Sequence, residues 1–126
     1  MLCRSFEEIL DFPPAPKLGI DGKLAPRKAD TTELRGQQLF FGKARCAECH
    51  PAQYYTDNLM HNLKTERFYK AHLINGMMAS SDGPIKTFPP RGVKDTPPYL
   101  HDGRLLTLED TVEFFDLVAE LRLTER

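Results

Sequence analysis

The sequence predicts a mainly α-helical single domain with long irregular loops and an extended N-terminal arm. Three observations point that way. Ten prolines and eight glycines among 126 residues favour helices joined by irregular turns. The segment after Thr107 spaces its apolar residues at a helical period. The section from Asn75 to Arg104 shows neither a strand alternation nor a helical period of useful length.

Taken in order, residues 1–31 read as an arm or linker. Ser5 can cap a short helix through Phe6, Ile9 and Leu10, with Glu8 three residues on as in a capping box. Pro13, Pro14 and Pro16 stop it, and the chain continues extended past Gly19, Gly22 and Pro26. The domain proper spans 32–126. Its first helix runs from Thr32 to Phe41, with Thr31 or Thr32 as N-cap, Glu33 in the first turn and Gly42 at the end. Leu34, Gln38 and Phe41 share one side of it. Turn formers dominate from Tyr54 to Asn62, and a short helix is expected through Glu66, Phe68, Tyr69 and His72. Asn75-Gly76, Asp82-Gly83-Pro84, Pro89-Pro90, Pro97-Pro98 and Asp102-Gly103 then punctuate a long loop, and a loop of that length in a small domain has something to wrap. The last helix runs from Thr107 to Leu121. Thr107 and Asp110 form a short-acid capping box, and Leu108, Val112, Phe115 and Ala119 form an apolar stripe that Phe114, Val118 and Leu121 widen.

Composition excludes several classes. Lys and Arg total 17 against 18 Asp and Glu, a net charge of -1, so the basic excess of a nucleic-acid surface or a polybasic membrane anchor is missing. No run approaches the roughly 18 apolar residues of a membrane span. Glu7, Glu8 and Asp11 occupy the place where an export signal would be apolar, so no such signal is expected in this chain. Apolar residues make up 40% with a mean hydropathy of -0.45, which supports only a modest core.

Three cysteines cannot all pair, and two stand in Cys46-Ala47-Glu48-Cys49-His50. Three chemistries use such a run. Two thiols at this spacing add across the vinyl groups of one haem while the adjoining imidazole reaches the iron. A zinc site wants about four nitrogen or sulfur ligands, and the remaining thiol, Cys3, lies at the far end of the arm. A thioredoxin-like dithiol wants a strand before the motif and a helix opening at it, whereas here a helix precedes and Pro51 follows. Covalent haem fits best. A macrocycle would also supply the apolar centre that so turn-rich a chain lacks.

The stretches FFGKARCAECH, YYTDNLMHN and FPPRGVKDTPPYLHDGRLLTLEDTVEFF together resemble the C-terminal haem domain of bacterial di-haem cytochrome c peroxidases and MauG-like enzymes. The resemblance covers about Leu34 to Leu117. It implies a cytochrome-c-like haem domain, one covalently attached haem c, a periplasmic address and electron transfer to or from a redox partner, either another haem domain or a small carrier. It further implies that Cys46 and Cys49 carry the thioethers, that His50 is the proximal ligand, and that Arg91 lies near the haem propionates. Thr96 and Pro98 match a segment that helps hold calcium, a site that needs a partner domain as well. Met60 matches a bulky apolar position. His61 and His101 fall in family motifs, as local hydrogen-bonding residues.

Three departures accompany the resemblance. The family's sixth iron ligand, a Met or Tyr on the last helix, is replaced by Phe115, which cannot bind iron and belongs to the apolar stripe. The loop methionines Met77 and Met78 are the best substitutes, and His61, His72 and His101 are further possible ligands. Only one haem motif is present. The missing signal and abrupt end fit a piece of a longer di-haem protein or a shortened gene product. The leading expectation is an electron-transfer haem domain. One rival is a peroxidase acting at an open sixth position, with a distal histidine and Arg91 or Arg104. Another is a zinc or thiol-redox module using Cys46 and Cys49.

Overall fold

Two helices of eleven residues each begin at strong caps. In the computed structural model, which describes residues 14–68, 71–79, 83–100 and 102–123, helix α1 spans Thr31–Phe41. Its N-cap is Asp30, one residue before the expected threonines. The Asp30 carboxylate accepts the Glu33 N–H at 2.8 Å, and the Glu33 carboxylate accepts the Asp30 N–H at 2.9 Å. A carboxylate outcompetes a hydroxyl here because it also favours the positive end of the helix. Helix α2 spans Leu108–Val118 and opens with the Thr107–Asp110 box as expected. Its buried face centres on Phe114, while Val112 is 56% exposed, so the expected stripe is rotated. The expected helix through Ser5 and Glu8, and Cys3, lie outside the described residues.

Among the described residues between the helices, none is in an α-helix. A 3-10 turn at Thr65–Arg67 stands where a helix through Glu66 and His72 was expected. Strand β2 (His72–Ile74) follows and pairs antiparallel with β3 (Met77–Ala79). Asn75 and Gly76 join them with φ of 51° and 78°, the left-handed pair that a two-residue hairpin requires. A second ribbon pairs β1 (Met60–His61) with β4 (Ile85–Lys86). The long section read as irregular therefore carries β structure. Its strands are two or three residues long, too short for an alternation to register in the sequence.

The fold is accordingly not the mainly α, cytochrome-c-like one expected: among the described residues, two short helices are joined by 3-10 turns, two small antiparallel ribbons and loops. None of these helices is long and apolar enough to cross a membrane.

Residues 14–31 lie against the rest of the chain. Leu18 bridges to Leu24, and the Leu24 N–H donates to Gln37 of α1 at 2.5 Å. Gln53 donates to the Ile20 carbonyl at 3.1 Å, and the Tyr55 hydroxyl donates to the Gly22 carbonyl. Gly22 has φ 75°, and a Cβ there would stand 2.8 Å from the Gln53 Cα. No other residue fits without moving the backbone.

The core is thin. Among the described residues the buried apolar side chains are Ala44, Tyr99 and Phe114, joined by the buried Thr65 and Thr87. Two aromatic groups flank it: Phe40, Phe41 and Tyr55 at one end, Phe68, Phe114 and Phe115 at the other.

Candidate functional site

Helix α1 ends when the Gly42 N–H turns back to the Leu39 carbonyl at 3.1 Å. Arg45 then takes a left-handed conformation, φ 54°, and starts the 3-10 turn Cys46–Glu48. Its guanidinium grips Glu48 through two bonds of 2.7 and 2.8 Å. The Cys49 and His50 N–H groups both return to the Cys46 carbonyl, at 3.3 and 2.9 Å. One tight turn thus collects two thiols and an imidazole.

Cys46 and Cys49 are free thiols, half-buried rather than joined. Burial pushes both above the ordinary thiol range, and the carboxylates of Asp57 and Glu48 push Cys49 further in that direction. Cys46 donates to the Ala44 carbonyl at 3.4 Å. His50 Nδ1 lies 2.9 Å from the Tyr55 carbonyl. A carbonyl only accepts, so Nδ1 carries the hydrogen and Nε2 keeps its lone pair, the usual arrangement for a metal-binding histidine.

A cavity of about 720 Å³ is connected to this turn through Tyr55. Phe40 and Phe41 of α1, Tyr55, Leu18 and Leu24 of the arm, and the turn at Arg91–Val93 line it. Its size suits an organic cofactor, and its wall is mostly apolar with few polar groups. Tyr55 belongs both to this wall and to the His50 hydrogen bond. Cys46, Cys49 and His50 are not part of the lining. The donor set fits the haem that the motif implies: two free thiols and an imidazole with its outer nitrogen available, with Tyr55 joining them to a mostly apolar hollow that has Arg91 in its wall.

Other expected residues fall elsewhere. Met77 and Met78 sit on β3, 73% and 66% exposed, and do not line the cavity. His101 lies outside the described residues. His72 is in β2, apart from the motif in the pairing scheme. Thr96 bonds its own turn, donating to the Val93 carbonyl at 3.1 Å. Arg104 pairs with Asp102. Phe115 packs edge-on against Phe114, the packing role its place on α2 suggests.

Asp57 stands outside the expected site residues, yet the fold brings it to the motif. The Asp57 N–H donates to the Cys49 carbonyl at 3.0 Å. Its carboxylate accepts from the Leu59 N–H at 2.9 Å and from His61 Nε2 at 2.6 Å. These bonds, that from Leu59 first, lower the Asp57 carboxyl to about 2. Donor atoms of Cys49, Asp57 and His61 all lie within 4.8 Å of one another. The D-x-x-x-H spacing was the available signal, but it identifies a pair only once the loop is known to fold back on the motif.

Comparison with known proteins gives partial matches. No family model and no solved structure matches the chain. The cytochrome-c peroxidase IdrP1 of Pseudomonas sp. (strain SCT) is 25% identical over an alignment covering 69% of this chain and 31% of that protein. The methylamine utilization protein MauG of Methylorubrum extorquens is 31% identical, over 70% of this chain and 26% of that protein. The chain therefore spans under a third of the length of either curated relative. Over about two-thirds of its own residues, it is related to the family that these two proteins represent.

Proposed function

We propose that this chain is a c-type haem electron-transfer module, tethering one haem through Cys46 and Cys49 and presenting His50 to the iron. The observation that carries the reading is the His50 ring, oriented by the Tyr55 carbonyl within a turn that also holds two free thiols. The relationship to a cytochrome-c peroxidase and to MauG supports a haem-related redox role. Bound haem would supply one-electron chemistry at iron, with a potential set by axial ligation and burial.

The chain's own residues do the rest. The 3-10 turn fixes the spacing of the two sulfurs, and the Tyr55 carbonyl fixes the imidazole tautomer. Phe40, Phe41 and the arm give the hollow an apolar wall against which a macrocycle could pack. Arg91 offers a guanidinium fork for a carboxylate such as a propionate. Met77 or Met78 would reach a sixth position only if the β2–β3 ribbon folds inward on loading. A second haem domain or a small carrier is the partner class, and the periplasm, where haem is attached, is the matching compartment. Residues 14–31 act as a strap over the domain that follows.

The test is co-expression of an export-competent form with a haem-attachment system, followed by intact mass and a reduced absorption spectrum. One haem per chain, resistant to acid-acetone extraction, is expected. A mass equal to the bare polypeptide overturns the proposal. Cys46→Ser and Cys49→Ser should each leave one thioether at most, and His50→Ala should change the axial ligation seen in the spectrum.

A further inference from the structure

We propose that Cys49, Asp57 and His61 form a binding site for a zinc-like divalent cation in the polypeptide that carries no haem. The argument is geometric. Three donors of different kinds, a sulfur, a carboxylate oxygen and an imidazole nitrogen, lie within 4.8 Å of one another. Tetrahedral zinc with bonds of about 2.0–2.3 Å holds its ligands about 3.5 Å apart, so the His61–Asp57 pair, 2.6 Å apart, opens by about 1 Å while the Cys49 sulfur closes by up to about 1 Å.

The frame that holds them is backbone. The Asp57 N–H is tied to the Cys49 carbonyl, and His61 is held by the pairing of β1 with β4. Thr56 donates to the Thr87 carbonyl at 2.9 Å, and the Thr87 N–H donates to the Leu59 carbonyl at 3.0 Å, so the loop between Asp57 and His61 is anchored on both sides. The donors themselves are partly sheltered, with Asp57 14% and His61 35% exposed.

The donor set selects the ion. One thiolate, one imidazole and one carboxylate suit zinc or cobalt and give little to magnesium or calcium, which want oxygen alone. Binding releases one proton, from the Cys49 thiol. The His61 hydrogen now directed at Asp57 moves from Nε2 to Nδ1, freeing Nε2 for the metal. Three protein ligands leave a fourth position for water. The Cys46-x-x-Cys49 pair is not the site, because Cys46 bonds to the Ala44 carbonyl and lies outside the cluster. A thioether at Cys49 cannot supply the thiolate, so cation and haem are alternatives at one sulfur.

The test uses the full chain, reduced and haem-free, titrated with cobalt(II) and back-titrated with zinc. One equivalent is expected, with a thiolate-to-cobalt charge-transfer band that zinc abolishes. Cys49→Ser should remove that band, and His61→Ala or Asp57→Asn should weaken binding at least tenfold. Cys46→Ser should leave binding within twofold of the parent. Far-UV circular dichroism confirms that each variant keeps its fold, and His61→Ala, altering a surface-reaching ring, serves if Asp57→Asn does not. Absence of the band, unchanged affinity in His61→Ala, or equal loss in Cys46→Ser and Cys49→Ser overturns the proposal. Haem attachment is scored separately by mass, so failure of either reading leaves the other standing.

Discussion

The two aromatic clusters make opposite use of the same side-chain chemistry. At one end Phe68, Phe114 and Phe115 meet edge to face at centroid distances of 5.5–6.0 Å, and Phe114 is buried between its neighbours. At the other end Phe40, Phe41 and Tyr55 stand 5.3–6.4 Å apart yet leave a hollow of about 720 Å³ beside them. Each ring in the second cluster keeps part of its surface open, and Arg91 adds a cation to the wall. A cluster that buries Phe114 stabilises the polypeptide alone, even though its Phe68 ring is 48% exposed, whereas one that borders a hollow gains further burial from what enters it.

Truncation separates the two ends most sharply. In the haem-free chain Phe114→Ala should cost about 3 kcal/mol, the penalty of emptying a buried aromatic site, read from denaturant unfolding. Phe41→Ala should cost about 1 kcal/mol in the same state, because the ring is only partly buried, and more once a cofactor is loaded. Equal costs would dissolve the distinction between the clusters. Gly22→Ala comes next, at 1 kcal/mol or somewhat above, since its φ of 75° and the nearby Gln53 backbone both resist a Cβ. It should also hasten proteolytic cleavage within residues 14–31 while leaving the Phe114 end intact. Thr107→Ala, which removes the cap of α2, should cost about 1 kcal/mol and loosen the closed cluster selectively.

Acid sensitivity belongs to neither cluster but to the loop that returns to Cys49. The Asp57 carboxyl is lowered in the folded chain to about 2, against roughly 3.9 when unfolded. Its contribution is therefore complete above about pH 4 and fades as pH falls toward 2. Asp57→Asn should flatten the melting temperature across that window, measured by thermal scans at stepped pH. The smallest effect is expected at the exposed Arg45–Glu48 pair, where loss of the ion pair in Glu48→Gln should leave the thermal midpoint unchanged within error.

Much of the closed end was legible in the sequence, and less of the open one. The Thr107–Asp110 box and a terminal helix could be read directly because capping and periodicity are local. The rotation of that helix about Phe114 could not, because nothing local tells two adjacent phenylalanines apart. Asn75-Gly76 was seen as a turn but not as a hairpin, since strands of two or three residues carry too few positions to alternate. The Cys46–His50 motif was visible from spacing alone. Its companion Asp57 was not, because its nearness to Cys49 depends on a backbone bond that spans the intervening turn.

Tyr55 ties three parts of the molecule into one joint. Its hydroxyl fastens the Gly22 strap, its ring walls the hollow, and its own carbonyl steers the His50 imidazole. A tug on the strap at Gly22 therefore arrives, within that one residue, at Nδ1 of the His50 ring, on the side opposite Nε2. Were a haem held at His50 as proposed, residues 14–31 would bear on its redox behaviour through a single shared amino acid. Sequence changes in that strap would then reach the imidazole's orientation by way of one hydroxyl and one carbonyl of the same residue.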